Sequence, residues 1–413
     1  MQIHALEFYA GIGGLHLALK RNRKFSARVV RAFDWDQNAI KVYEANHGEI
    51  VTKIDISTLS ASFLASFQAN LWLLSPACQP YTVLNPNAKG SLDPRAKSFL
   101  HLMQNVLPEL VARKEQPKHL LIENVGGFEA STTRQFILSQ LHSLGYTTAE
   151  FLLTPLQFGI PNSRLRYYLL AKAAPFVFPT SIQSGITYRC IPPPSDSDSD
   201  SSSAWIDPRD SETANVNAME ISHYLDSEEQ DDSATYAIPD RVLEKWGRLF
   251  DIVLPTAKRS CCFTRGYTQL VERAGSILQT NMDLDTSKTF DFFFAAQAAG
   301  DTEVKVNAVS ILHPLQLRYF TPSELLRIFH FNPPSTYTNA PLRIDPLVLD
   351  SNPRVDDTHR KPNFEPFIWP PNSGISTKTK YRLIGNSVNV HVVTQLIDFL
   401  FHGDVCGSEL ELF

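Results

Sequence analysis

Short apolar runs alternate with amphipathic stretches along the first half of the chain. Residues 3–9, 29–33, 51–56, 71–74, 120–122, 147–153 and 167–171 read as strands, and several end on a polar or charged residue. Between them, Leu15, Ala18 and Leu19, then residues 38–46, 98–110 and 134–144, follow the spacing of helices packed on a sheet. Strand and helix in alternation predict an α/β domain. Further on, residues 242–254 read as a helix. Residues 320–331 read as another, with Thr321 as N-cap, Pro322 in the first position and Glu324 completing a capping box. Residues 332–376 are rich in proline and polar side chains and predict a surface excursion. A terminal helix carries Leu396, Ile397 and Leu400.

With 413 residues the chain has room for two or three domains. It contains no run of about 18 apolar residues, and Met1–His4 leads into a strand without a signal-peptide pattern, so the cytosol, with the nucleus as a second site, is the expected location and no membrane partner is expected. The five cysteines are an odd number in neither a metal-binding nor a disulfide spacing, which fits free thiols and no metal. The net charge of −5 is local in origin. Residues 195–233 hold 12 of the 43 acidic residues and, in Arg209, one of the 38 basic ones, leaving 37 basic against 31 acidic elsewhere. That segment, with its Asp-Ser repeats, predicts a disordered acidic linker over 191–236. The basic remainder is compatible with a phosphate-binding face and equally with a mixed solvated surface.

Candidate chemistry collects where the strands end. The first strand runs into Gly11-Ile12-Gly13-Gly14, and glycines allow positive φ and a close approach of backbone to ligand. Asp34-Trp35 ends the second, about 20 residues on, where nucleotide-binding α/β folds place a ribose-gripping carboxylate. Asp55-Ile56 ends the third. The run 71–74 stops at Ser75-Pro76, which offers Cys78 in a loop, and 120–122 stops at Glu123-Asn124. Arg164 and Arg166 enter the next strand on one side of an extended chain. Each residue alone has a bland reading: a tight turn, a buried Trp, an inert core thiol or a surface arginine.

Taken in order, these motifs resemble the cytosine-5 methyltransferase superfamily over nearly the whole chain apart from the acidic linker and the excursion. Phe8 to Gly14 resembles the first cofactor motif, Asp34-Trp35 and Asp55-Ile56 the ribose and adenine positions, and Pro76 to Gln79 the nucleophile loop. Glu123-Asn124-Val125 resembles the catalytic-acid motif, Arg164 and Arg166 the paired-arginine motif, and Gly385-Asn386-Ser387 the last motif. Within that superfamily, Glu123 to Arg134, Gly159 to Tyr167 and Cys262-Phe263-Thr264 resemble the branch called DNA methyltransferase two, which methylates cytosine 38 in the anticodon loop of aspartate tRNA.

The resemblance implies a Rossmann-like seven-stranded S-adenosylmethionine-dependent methyltransferase domain over 1–190, completed by 379–413, with a smaller target-recognition domain over 237–378. It implies that Cys78 adds to C6 of the base, that Glu123 meets N3 and the N4 amine, and that Arg166 holds the O2 side while Arg164 orders the loop or a phosphate. Cofactor contacts are expected from Phe8, Gly11, Ile12, Gly13, Gly14, Asp34, Trp35, Asp55, Ile56, Pro76, Asn386, Ser387 and Val388. Substrate contacts are expected from Gln79, Asn124, Cys262, Phe263 and Thr264, although the last three also fit a packed hydrophobic turn. S-adenosylmethionine carries no phosphate, and no lysine stands beside Gly11 to Gly14. One departure is Ala77, where the superfamily usually has proline; a freer φ leaves Cys78 less pre-organised. tRNA is the expected partner. The alternatives are DNA as acceptor, a catalytically silent nucleic-acid binder, and a nucleotide-dependent oxidoreductase that would have no use for Cys78, Glu123 and Arg166 together.

Overall fold

The computed structural model describes residues 2–22, 24–81, 93–192, 218–227, 233–298, 308–334 and 365–404. Its main sheet consists of β1 (Ile3–Phe8), β2 (Ala27–Asp34), β3 (Val51–Lys53), β4 (Leu71–Leu74), β5 (His119–Val125), β6 (Tyr146–Leu153), β7 (Arg166–Ala173) and β8 (Thr187–Tyr188). The order is β3-β2-β1-β4-β5-β7-β6-β8, so the seven expected strands are joined at one edge by a two-residue eighth. Strands β1 to β5 are parallel and bring their carboxyl ends to one edge of the sheet. β7 runs antiparallel between β5 and β6, which sets Arg166, its first residue, opposite Val125, the last of β5. The reversed strand thus delivers an arginine to the edge where ligands of open α/β sheets bind.

Alternation of side chains divides the core into two layers. Ile3, Ala5, Leu71 and Leu73 face α1 (Gly14–Arg21), α2 (Gln37–His47) and the terminal helix Val390–Leu400. Leu6, Phe8, Trp72 and Leu74 face the helical run from Lys97 to Ala112 and the helix Thr132–Ser143. The expected helix over 98–110 is interrupted by a π turn, Leu102–Val106. Pro108 lies just beyond it, in the first turn of Leu107–Ala112; it has no N–H for the carbonyl four residues back, and widening the turn relieves the clash of its ring.

A second sheet, ordered β11 (Leu317–Arg318), β10 (Ile277–Gln279) and β9 (Ile252–Val253), has its own apolar cluster around Leu243, Phe290, Phe293, Leu312 and Leu315. Four expectations need correction. The helix over 242–254 is only Asp240–Trp246: the chain turns at Gly247, where the Phe290 ring leaves no room for a side chain, and β-branched Ile252 and Val253 form a strand. The strand over 51–56 stops at Lys53 because Asp55 caps a 3-10 turn, Ile56–Thr58. The linker over 191–236 is folded at 218–227, where Ile221 and Tyr224 are fully buried and Asp226 binds Thr321 and Arg327; its Asp-Ser repeats lie outside the described residues. Of the excursion, 335–364 lie outside the described residues. Phe367 folds back, its N–H donating to Asn332 Oδ1 at 2.7 Å. No helix among the described residues is long and apolar enough to cross a membrane.

The capping box on helix Pro322–Ile328 forms as its residues require. Thr321 Oγ1 accepts from Glu324 N at 3.1 Å, and Glu324 Oε2 accepts from Thr321 N at 2.8 Å. The same fully buried carboxylate takes both arms of Arg318, at 2.9 and 2.7 Å, and the N–H of Asp226 at 3.1 Å. Removing it strands a buried guanidinium. Glu324→Ala is therefore expected to lower unfolding free energy by about 3–5 kcal/mol, measured by urea denaturation. A loss under about 1 kcal/mol would show that the pair is not what holds this helix.

Candidate active site

Where β1 ends, the backbone turns through positive φ at Tyr9 (58°), Gly11 (54°) and Gly13 (81°). Gly11 N–H donates to Asp34 Oδ2 at 2.7 Å, and Asp36 N–H to Oδ1 at 2.8 Å, so the carboxylate at the end of β2 pins the turn. Burial pushes the Asp34 carboxyl up, and these N–H groups oppose it. The three glycines serve different needs. A Cβ at Gly11 would meet nothing nearer than Tyr9 O at 4.0 Å, which leaves that side open to a ligand. At Gly13 it would lie 2.3 Å from His47 Nε2, and at Gly14 2.8 Å from Val388 Cγ2, so these two are small in order to pack on α2 and the last motif.

Below the turn lies a residue the motif reading did not single out. Glu7 is fully buried, accepts from His16 N at 3.2 Å and from Tyr43 OH at 2.8 Å, and is pushed up to about 8 by burial. A carboxylate between the apolar residues Ala5, Leu6 and Phe8 was its signal in the sequence. Trp35 is 68 % exposed, with Lys53 Nζ 5.8 Å from its ring centroid. Asn386 is exposed and Ser387 half-buried at the turn's other flank. Phe8, Ile12, Ile56, Pro76 and Val388 are buried; Phe8 stacks on Phe33 at 5.3 Å, and Phe8, Ile12, Ile56 and Val388 belong to the apolar core on the two sides of the sheet. Asp55 is exposed and spends its carboxylate on Ser57 N at 2.9 Å.

The loop after β4 holds Cys78, half-buried like Ala77 and Gln79 on either side, beside residues brought by β5 and β7. Glu123 is 8 % exposed, and Arg166 Nε lies 3.4 Å from its Oε1. Burial raises the Glu123 carboxyl above its ordinary value, and Arg166 and Arg164 pull it only partly back. Burial also raises the Cys78 thiol. Arg166 and Arg164 oppose that, and Glu123 adds to it. A carboxyl biased toward its neutral form beside a thiol and a guanidinium is a set able to add sulfur to an electron-poor ring while donating a hydrogen bond to it. Asn124 does not face a substrate. It is 1 % exposed, with its amide reaching Pro76 O at 3.4 Å and its oxygen accepting from Val125 N at 2.9 Å, so it braces the Cys78 loop against β5.

Arg164 is 2 % exposed and lies before β7 begins, not on it. Its guanidinium donates to Phe263 O at 2.8 Å, Gly385 O at 3.0 Å and Ser387 O at 2.6 Å, and stacks 4.9 Å from the Phe329 ring. Of its two expected roles, these contacts fit the ordering of loops and leave no donor pattern aimed at a phosphate: this arginine rivets its own segment to those of Phe263 and of Gly385 and Ser387. Cys262 Sγ accepts from Arg164 Nη1 at 3.4 Å and Arg166 Nη2 at 3.8 Å. Burial raises that thiol, but the two guanidinium groups outweigh it and the net shift is downward. Phe263 is fully buried against Tyr267 and Phe320, so its side chain meets no substrate, whereas Thr264 shapes the following loop by accepting from Gly266 N at 3.3 Å. Among the described residues no group of His, Cys, Asp and Glu could hold a metal ion.

Residues 3–341 match the family of C-5 cytosine-specific DNA methylases. A tRNA (cytosine(38)-C(5))-methyltransferase of Schizosaccharomyces pombe is 35% identical over 401 residues, 97% of each chain. A DNA (cytosine-5)-methyltransferase of Dictyostelium discoideum is 31% identical over 415 residues, covering 97% of this chain and 94% of that one. The crystal structure of S. pombe Dnmt2 methyltransferase superposes with a TM-score of 0.66 at 32% identity, over 97% of this chain and 98% of that one.

Two outcomes follow from the electrostatics of the site. Alkylation of Cys78 by iodoacetamide, followed by peptide mass spectrometry, is expected to rise with pH through a midpoint above the ordinary thiol value of 9.0; Arg166→Ala should move it higher and Glu123→Gln lower. A midpoint that ignores both substitutions would mean the three groups do not share one field. Arg164→Lys keeps the charge but loses the fork, and should cost about 2–4 kcal/mol in urea unfolding. An unchanged unfolding midpoint would show that these hydrogen bonds do not hold the segments together.

Proposed function

The chain belongs to the C-5 cytosine-specific DNA methylase family, and we propose that it transfers a methyl group from S-adenosylmethionine to C5 of a cytosine in tRNA, cytosine 38 of the aspartate tRNA anticodon loop. The observation that carries the chemistry is the convergence of Cys78, Glu123 and Arg166 on one sheet edge. The choice of tRNA is supported by end-to-end similarity to the S. pombe tRNA methyltransferase.

The turn suits S-adenosylmethionine. Gly11 presents an open backbone face, Asp34 stands beside it to meet ribose hydroxyls, and Trp35 offers an exposed ring to a base. When bound, the sulfonium supplies an electrophilic methyl carbon. The chain's own residues must make C5 of cytosine able to take it. The Cys78 thiolate adds to C6, and electron density moves toward N3, where protonated Glu123 donates a hydrogen bond or its proton. Arg166, 3.4 Å from that carboxylate, stabilises the charge it acquires and faces the O2 side of the base. Return of any N3 proton to Glu123, loss of the C5 proton to a base and expulsion of Cys78 as thiolate then restore the neutral ring. An anticodon-loop cytosine is already partly unstacked, which lowers the cost of placing it in such a site.

Purified protein should transfer labelled methyl from S-adenosylmethionine to total tRNA, with Cys78→Ala lowering the rate by about a thousandfold or more and Glu123→Gln by about a hundredfold. Duplex DNA tested in parallel decides the second reading, which the Dictyostelium relative favours. Preference for DNA would overturn the tRNA assignment, and cofactor binding with transfer to neither would identify a silent binder.

A further inference from the structure

Tyr9 is the residue at which β1 stops and the glycine turn begins. Its φ of 58° lies in the left-handed region, which a bulky aromatic residue adopts only under strain. Such strain persists where the surroundings over-determine it. Here the surroundings are the two flanks of the nucleophile segment. Ser75 Oγ donates to Tyr9 O at 3.0 Å, and Ser75 N–H lies 3.4 Å from the carbonyl of Phe8. The Tyr9 hydroxyl and Ser98 Oγ are 2.9 Å apart. Ser75 lies three residues before Cys78, and Ser98 stands in the first turn of Lys97–His101, after it in the chain. Two residues beyond Tyr9, Gly11 N–H reaches Asp34. One residue is therefore continuous with the turn through its backbone, and bonded to the chain on both sides of Cys78 through its carbonyl and its phenol.

We infer that Tyr9 is a positioning residue that couples the glycine turn to the nucleophile segment, so that occupation of the site over Gly11 is transmitted to Cys78. The inference rests on the reading of that turn as the methyl-donor site and of Cys78 as the nucleophile. Burial holds the phenol neutral throughout the working pH range, so the contact with Ser98 is an ordinary hydrogen bond that Tyr9→Phe removes with little change of shape. Ser98→Ala removes the same bond from its other end.

The test uses the full chain, wild type, Tyr9→Phe, Ser98→Ala and the double variant, with two readouts. In methyl transfer to tRNA, each single variant should lower kcat about five- to tenfold, as expected for one lost buried hydrogen bond, with KM for S-adenosylmethionine within about twofold of wild type. The double variant should be no worse than either single one, because both remove one interaction. In the second readout, S-adenosylhomocysteine is the probe. It should change the iodoacetamide alkylation rate of wild-type Cys78 by about threefold or more, and the variants should lose most of that change. The alkylation arm needs no RNA, so failure of the tRNA reading is seen separately from failure of the coupling. Additive single effects, a wild-type alkylation rate indifferent to the probe, or a lowered melting temperature with kcat and alkylation unchanged would each overturn the inference.

Discussion

A guanidinium buried to 2 % exposure must find acceptors inside the protein, and Arg164 finds the carbonyls of Phe263, Gly385 and Ser387. Gly385 ends the helix Thr377–Gly385 and Ser387 lies two residues beyond it, whereas Phe263 precedes the loop leading to β10. The clamp leaves little room for adjustment, because a Cβ at Gly385 would stand 2.3 Å from the Thr264 carbonyl carbon. By fixing those segments, Arg164 also fixes where Cys262 sits relative to Arg166, and through Arg166 the field at Glu123 and Cys78.

That field is shared unequally. Burial disfavours the charged form of all three acidic groups, and the two arginines favour it; the net shift is upward at Cys78 and Glu123 and downward at Cys262. The neutral form is thus favoured at Cys78 and Glu123, and the charged form at Cys262. In the proposed reaction a neutral Glu123 would suit a hydrogen-bond donor to a ring nitrogen, while a neutral Cys78 would have to be ionised before it could add to the base.

What could be read in the sequence was what depends on local rules. The capping box at Thr321 and Glu324, Asp34 at the end of β2 and Cys78 in the loop after β4 stand where residue type and periodicity put them, whereas β5 runs past its expected end at Ile122 to Val125 and so carries Glu123 within it. What escaped was set by partners distant in the chain. The pair Arg164 and Arg166 looks equivalent by spacing, yet one is a rivet and the other meets Glu123, because β7 begins at the second of them. Asn124 reads as a site residue and proves to be a brace, and Phe263 reads as a contact and proves to be core. Tyr9 carries no sign in the sequence of its left-handed backbone, since glycine is the residue expected there. The acidic stretch reads as disordered from composition, but Ile221 and Tyr224 within it bury enough apolar surface to fold their immediate neighbours.

The terminal helix Val390–Leu400 packs on α1 and covers the same face of the main sheet. A helix near the amino end is thus sealed by one about 370 residues further along. On the ribosome, which delivers residues from the amino end, Leu15, Ala18 and Leu19 lack part of their cover until residues 390–400 emerge. Two of the three acceptors of Arg164 arrive just before that helix. A nascent chain halted before residue 385 therefore has the Cys78 loop, the Glu123 strand and Arg164 itself, but not two of the three carbonyls that this arginine holds.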